Sequence, residues 1–471
     1  MNLTIAQVIE ATGGVFYSAD SKEASIGYNC NESSPGLSDE GFFEISIKSI
    51  STDSRNIQKD ALFVPIVGER FDGHDFIGQA VNLGALCVLT EKKLEGSQPY
   101  ILVKCTRQAL LDIASFYITL FDVRVVGLTG SAGKTTTKDM IASVLAKKYR
   151  TKKTIGNFNN DIGMPLSIFT LEEGDEVIVL EMGMNHAGEI RKLTYAAKPD
   201  VAIITNIGDA HIENFKNRTG ILHAKLEIVE GLKKDGSVFL NGDDPLLTGE
   251  IAAKKTEGLR VFMPGKENIK NVKPMGLSGS ECRFSIGGQD VNVAVPLPGS
   301  HMVANALLAS AVCLFLGVSP GDITRGFEDY MPTEGRLNVV RAKNRTIISD
   351  VYNASPDSVK NALQVLSKEC GRKVAILGDM LELGSFAKAR HEEVGSYAAE
   401  LGIDVLVAVG DLAKYFYEGF ASYVVPGRNL YIFPTKGDFF VEIDEILLDD
   451  DVVLVKASRG AKFEEITERL I

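Results

Sequence analysis

Paired metal-binding cysteines are missing from this chain. Its six cysteines, at 30, 87, 105, 282, 313 and 370, leave no two close enough for a CxxC pair. Several sit in apolar runs such as Ala85-Leu86-Cys87-Val88-Leu89, so they read as buried, reduced thiols of a cytoplasmic protein. No apolar run approaches the roughly 20 residues that span a bilayer, which argues against membrane insertion. The start, Met1-Asn2-Leu3-Thr4-Ile5-Ala6-Gln7, lacks the basic and apolar regions of a signal peptide. Cationic excess is also absent. The formal net charge is −12, so there is no whole-chain footprint for nucleic acid, and a polyanion would need a local site. No short repeat or low-complexity tract interrupts the chain.

What is there is ordinary globular material: 45% hydrophobic and 24% charged residues. At 471 residues the chain exceeds what one core usually supports, so two or three domains are expected. Residues 1–20 read as a short helix and a strand, and 21–44 as an exposed loop around Pro35-Gly36. Short apolar strands then alternate with helices up to about Phe121, with strands predicted at 61–67, 84–89 and 100–103. From Val123 the alternation tightens. Buried strands are predicted at 124–129, 176–182 and 201–206, and a helix from Gly133 to about Lys148, the pattern of a parallel sheet covered on both faces. The stretch 236–295 reads as an antiparallel extension. A third α/β block from Gly335 carries strands at 346–350, 373–378, 404–410 and 451–456. Each ends in a polar residue or glycine, where ligands of open parallel sheets bind. The expected fold is α/β in three domains, 1–122, 123–334 and 335–471.

Gly130-Ser131-Ala132-Gly133-Lys134-Thr135-Thr136 follows a strand and opens a helix, the context a phosphate loop requires. Glycines let backbone N–H groups approach phosphate oxygens, and the helix N-terminus favours negative charge. Lys134 can bridge outer phosphates, and the Thr135 hydroxyl can serve Mg²⁺. The usual first glycine of such loops is Leu128 here, and Gly130 takes over the turn. Glu181 ends the next buried strand, where a carboxylate is costly to bury unless it meets a cation. His211 follows the third strand, and Lys225 sits in Ala224-Lys225-Leu226-Glu227. Alone, each of these would be read as a surface or packing residue. Three such residues after a phosphate loop, two of them at strand ends, favour a functional reading.

These residues resemble the Mur ligase family of peptidoglycan synthesis, whose phosphate loops lack the same glycine. In the resemblance Glu181, His211 and Lys225 match metal and carbamylated-lysine positions. Pro298-Gly299-Ser300-His301-Met302-Val303-Ala304-Asn305 looks like G-x-H-N-x-x-N, with Met302 in place of the first Asn and Asn305 meeting the adenine. Glu334-Gly335-Arg336 is similar to the segment whose Arg reaches the ATP phosphates from the linker. Asp350-Val351-Tyr352-Asn353-Ala354-Ser355-Pro356-Asp357-Ser358 and Leu377-Gly378-Asp379-Met380-Leu381-Glu382-Leu383-Gly384 look like segments of the branch that adds D-alanyl-D-alanine. Lys456-Ala457-Ser458-Arg459 resembles K-G-S-R. Ser51-Thr52-Asp53-Ser54-Arg55 and Gly68–His74 look like the UDP-sugar domain, and 154–163 and 181–186 like middle-domain substrate motifs. The resemblance spans roughly 45–460 and leaves 21–44 as an insertion.

The resemblance implies an N-terminal UDP-sugar-binding domain, a central P-loop ATPase domain and a C-terminal Rossmann-like domain. It implies an ATP-dependent, acyl-phosphate ligase with UDP-MurNAc-tripeptide and D-Ala-D-Ala as substrates, two Mg²⁺ sites and a carbamylated Lys225, acting as a cytoplasmic monomer. The implied catalytic residues are Lys134, Lys225, His211 and Arg336. ATP would meet Gly130–Thr136, Asn305, Arg336 and Asp350, and metal would meet Thr135, Glu181, His211 and Lys225. Substrate would meet Ser51, Asp53, Ser54, Arg55, Asn159, Asn160, His186, Asn353, Ser355, Lys456 and Arg459. The alternatives are a Mur-type ligase adding a single amino acid, another phosphate-loop protein that needs no amine, and an inactive scaffold, which the intact Lys134, Glu181, His211 and Lys225 disfavour.

Overall fold

The computed structural model describes residues 1, 3–18, 23–24, 43–96, 98–342, 344–423 and 428–471. Apart from 23–24 and 43–44, the segment read as an insertion lies outside them, as does Cys30.

Three six-stranded sheets follow one another along the chain. The first runs, in spatial order, Glu23–Ala24, Val15–Tyr17, Tyr100–Leu102, Ala85–Thr90, Ala61–Phe63 and Ser49–Ser51. It is parallel except around Val15–Tyr17. Its strand from Ala61 stops at Phe63, short of the predicted 67, because Pro65 cannot donate to a ladder.

The second sheet is wholly parallel: Thr151–Lys153, Val177–Glu181, Arg124–Thr129, Val201–Ile204, Ser237–Leu240 and Arg260–Phe262. Its inner strands are buried on both faces, which explains their unbroken apolar runs. The predicted antiparallel extension over 236–295 is corrected in its first half. Ser237–Leu240 is buried at every position and joins the parallel sheet. Only Ile269–Pro274, Ser280–Ile286 and Gln289–Val295 form an antiparallel sheet, and Gln289–Val295 shows the alternating burial of a one-sided strand.

The third sheet runs Asn338–Ala342, Arg345–Ser349, Val452–Lys456, Lys373–Gly378, Val405–Val409 and Asn429–Phe433, parallel but for the first, antiparallel edge strand. Cys87, Cys282 and Cys313 are buried, but Cys105 and Cys370 are exposed, so burial holds for only part of the cysteine set. No described helix is long and apolar enough to cross a membrane.

Candidate active site

Strand Arg124–Thr129 delivers the phosphate loop into helix Lys134–Leu145. Leu128 is a fully buried strand residue whose carbonyl accepts from Met182 N at 2.8 Å, so the turn starts after it. Gly133 caps the helix with φ 77°, in the left-handed region. Two loop amides are already committed: Ser131 N donates to Asn206 O (3.0 Å) and Ala132 N to Asn206 Oδ1 (2.9 Å). The first intrahelical bond is Thr137 N to Gly133 O, so the amides of Lys134, Thr135 and Thr136 precede the helix ladder. Asn206 and Thr205, whose hydroxyl donates to Ala132 O at 2.6 Å, brace the loop from the neighbouring strand end. The sequence signal for this brace was only that they close a buried strand.

A cleft of about 270 Å³ opens over the loop. The second domain lines it with Ser131–Thr136, Asn159, Glu181, His211, His301 and Asn305, and the third with Arg336, Asp350, Tyr352, Asn353, Ser355 and Lys456. Sequence-predicted residues from two domains thus share one cavity. Arg336 donates from Nη2 to Thr135 Oγ1 at 2.9 Å, and its guanidinium stacks 4.0 Å from the Tyr352 ring centroid. Lys456 Nζ lies 2.5 Å from Asp350 Oδ2 and donates to Asn353 O at 2.8 Å, tying neighbouring strand ends together. Asn305 lies against Gly133, and its Nδ2 reaches Met302 Sδ at 3.9 Å. The Met302 sulfur therefore stands beside the side chain that the motif's Asn would adjoin.

Glu181 is 1% exposed. Its Oε1 accepts from Asn159 Nδ2 at 2.8 Å, while Oε2 has no hydrogen-bond partner; Lys138 Nζ is 3.9 Å away. An orphaned carboxylate oxygen in a cleft that Thr135 also lines is the hard-oxygen chemistry that suits Mg²⁺. Among the described residues no three His, Cys, Asp or Glu side chains cluster as a metal site. Burial pushes Lys134 below the usual lysine range, with Glu181 opposing. Lys225 is 2% exposed and no ion pair reaches it among the described residues. Burial, then the charge of Lys134, holds it well below the lysine range. It does not line the cleft, though the charge of Lys134 reaches it. His301 is pushed down to about 4 by burial, with Asp350 opposing, so it is a neutral imidazole at physiological pH.

Other predicted residues are placed elsewhere. Ser51, Asp53, Ser54 and Arg55 form a turn in the first domain, with Asp53 and Arg55 in a bidentate pair at 2.8 Å. Arg55 holds Asp53 down at about 2, and neither residue lines the cleft. The Asn160 side chain accepts from Ile162 N and Gly163 N and so builds a turn. His186 lies on the surface beside Glu189. Arg459 is 67% exposed, with its guanidinium 5.5 Å from the Tyr352 ring. A residue not singled out for a role, Glu382, reaches across from the third domain: its Oε2 is 2.6 Å from His211 Nδ1. The adjacent His211 ring, opposed by burial, holds the Glu382 carboxyl below its usual range, though Nδ1 approaches it outside hydrogen-bonding geometry.

A phosphate-loop domain followed by an α/β domain that adds its own arginine, carboxylate and lysine to the same cleft defines a class, the ATP-dependent ligases that act by closing two domains on a nucleotide. Three family models match in order: the Mur ligase family catalytic domain over 46–117, the Mur ligase middle domain over 128–313, and the Mur ligase glutamate ligase domain over 335–459. The chain belongs to the Mur ligase family. It is 39% identical to the UDP-N-acetylmuramoyl-tripeptide–D-alanyl-D-alanine ligase of Bacillus subtilis (strain 168), over 90% of this chain and 93% of that one. The crystal structure of MurF from Acinetobacter baumannii superposes with a TM-score of 0.89 at 31% identity, covering 100% and 99% of the two chains. MurF ligase from Thermotoga maritima, solved in complex with ADP, gives a TM-score of 0.79 at 29% identity, covering 90% and 97%.

Proposed function

We propose that this chain joins D-alanyl-D-alanine to UDP-N-acetylmuramoyl-tripeptide with cleavage of ATP to ADP and phosphate, in the cytoplasm, through three domains bounded near 122 and 334. The observation that carries this reading is the single cleft lined by the phosphate loop, Glu181 and His211 from one domain and by Arg336, Asp350 and Lys456 from the next. Relatives similar over nearly their full length bear that activity in their names.

A peptide carboxylate is a poor electrophile. One of its oxygens attacks the γ-phosphorus of ATP, the bond to the bridging oxygen breaks, and ADP departs. The free amine of D-Ala-D-Ala then attacks the acyl carbon of the acyl-phosphate, loses a proton and expels phosphate. The protein's part is positioning and charge stabilisation. The loop Gly130–Thr136 cradles the phosphates, and Lys134 with Arg336 offsets charge on the transferring group. Asn305 meets the adenine, and Asp350, held by Lys456, closes the nucleotide side. Thr135 and Glu181 would hold one Mg²⁺, and His211 with Lys225 a second; bound Mg²⁺ supplies charge neutralisation between phosphate and carboxylate. A lysine ammonium would repel the second ion. Burial favours the neutral Lys225 amine, which can add carbon dioxide to its nitrogen and release a proton, giving an anionic oxygen ligand. Ser51, Asp53, Ser54 and Arg55 serve the UDP-sugar end. Asn159, Asn160 and His186 serve the peptide, and Asn353, Ser355 and Arg459 the incoming dipeptide.

The test is product mass spectrometry with UDP-MurNAc-tripeptides bearing lysine or diaminopimelate. ADP release is expected only with D-Ala-D-Ala, with a product heavier by one dipeptide residue pair. Turnover with a single amino acid alone would overturn the substrate assignment. Lys225→Ala is expected to lower amide formation on the order of a hundredfold or more. Full ATP turnover by that variant without any amine would point to a phosphate-loop protein that is not a ligase.

A further inference from the structure

His211 and Glu382 meet across the face between the second and third domains. Both have left-handed backbones, φ 60° and 63°, which non-glycine residues keep only where their surroundings over-determine them. Those surroundings are visible around Glu382. Its carbonyl accepts from Glu213 N across the domain boundary (3.2 Å). Just before Glu382 in the chain, Met380 N donates to Nε2 of the buried His391 (3.0 Å) and Leu381 N to Ser458 Oγ (2.9 Å). The loop is thus anchored within its own domain and seated on the turn that carries His211. The carboxylate arrives 2.6 Å from Nδ1, at ion-pair distance but outside hydrogen-bonding angle, while His211 lines the cleft, so a small turn of the ring is what brings its N–H onto the carboxylate. A carboxylate on one imidazole nitrogen fixes both ring orientation and tautomer, which defines the chemistry of the other nitrogen.

We propose that Glu382 is a positioning residue for His211: it takes the Nδ1–H and leaves an unprotonated Nε2 for the cleft, so that the cation side is complete only when the third domain lies against the second. This rests on the reading of His211 as a cation ligand. It differs from a packing role because the carboxylate comes from a different domain and addresses a polar atom of a cleft residue.

Long-range ¹H–¹⁵N spectra of the histidine rings test it directly in the ADP·Mg²⁺ complex of the full chain, with His211→Asn used to assign the signal. The wild type is expected to show the Nδ1–H tautomer at His211; an Nε2–H tautomer would overturn the proposal without any variant. Glu382→Ala is expected to give mixed tautomers and, by electron paramagnetic resonance, about tenfold or more weaker Mn²⁺ binding to the nucleotide complex. Glu382→Gln, whose amide oxygen still accepts, is expected to keep the tautomer and most of the affinity. Wild-type tautomer and Mn²⁺ affinity in Glu382→Ala would sink the idea, and so would a Glu382→Gln variant as weak as Glu382→Ala. In turnover, kcat should fall in Glu382→Ala with little change in the KM for ATP. The spectroscopic readouts need only nucleotide and metal, so they decide this point even if D-Ala-D-Ala proves not to be the substrate.

Discussion

A single added methyl tests how tightly the phosphate loop is built. A Cβ at Gly130 would meet Thr205 Oγ1 at 1.8 Å, with φ at 156°. Thr205 cannot simply give way, because its hydroxyl holds Ala132 O at 2.6 Å and so sets the loop's curvature. Gly130→Ala is therefore expected to destabilise the loop by about 1–3 kcal/mol and weaken ATP binding correspondingly. Isothermal titration should show partial recovery in the double variant Gly130→Ala/Thr205→Ala, since the clash is relieved but the backbone strain is not. Equal affinity in the single variant and the wild type would refute this. Residues of this loop were legible because backbone chemistry restricts them to glycine, lysine and threonine at fixed spacing. Leu128 was legible as a departure, and its place inside the strand explains it. Asn206 and Glu382 were not assigned roles, because their parts depend on which strand ends and which domains become neighbours, and one-dimensional spacing does not carry that.

At the scale of elements, two helices each carry a histidine whose pKa is lowered. His391, on helix Ala387–Glu400, is fully buried; its Nε2 accepts from Met380 N and its Nδ1 faces Ala387 O at 2.7 Å. Burial lowers its pKa, with the Ala387 bond opposing. His301, on helix Ser300–Phe315, sits at about 4 for the same reason. The ordinary histidine value is 6.5, so between pH 6.5 and the lower folded values the unfolded chain binds more protons. The stability these residues contribute is complete above pH 6.5 and is lost as pH falls through the folded values, at roughly 1.4 kcal/mol per pH unit for each proton. Urea unfolding from pH 7 to 5 should show a shallower slope for His391→Gln than for the wild type; parallel slopes would contradict it. Element type was legible wherever burial is two-sided, as in Val177–Glu181. It failed over 237–262 even though Ser237–Leu240 is buried throughout, because strands of four and three residues are too short to show whether they pair in parallel or as a hairpin. It fell short at 61–67, where a proline ends the ladder.

At the scale of the whole molecule, the second and third domains meet through charged side chains, and these are predicted to set how firmly the two stay together. Asp209 is 1% exposed on its side chain. Its Oδ1 accepts from Arg218 Nε at 2.5 Å, its Oδ2 lies 2.9 Å from Arg390 Nε, and its amide donates to Asp357 Oδ2 at 3.3 Å. Arg218 also donates from Nη2 to both Asp357 oxygens, at 3.1 and 3.2 Å. Asp209 and Arg218 belong to the second domain, and Asp357 and Arg390 to the third, so two pairs interlock across the boundary. Exposed ion pairs contribute little, but a buried carboxylate at their centre makes the loss of either partner felt. Removing both third-domain charges keeps the net charge and leaves Arg218 to neutralise Asp209 alone. Asp357→Ala/Arg390→Ala should therefore fold normally yet favour the open arrangement by about 1–2 kcal/mol, on the order of tenfold. Apparent ATP affinity falls by the same factor if only the closed form binds fully, since the observed constant scales with the competent fraction. Small-angle scattering should show a larger radius of gyration for the variant and partial re-closure when ATP is added. The Asp209 carboxylate is shielded, but Arg218 and Asp357 are 42% and 37% exposed, so added salt should weaken their pair in the wild type more than the contacts of Asp209 itself. Unchanged scattering together with unchanged ATP affinity would mean that domain closure is held elsewhere, by the Arg336 linker and the Glu382 loop alone.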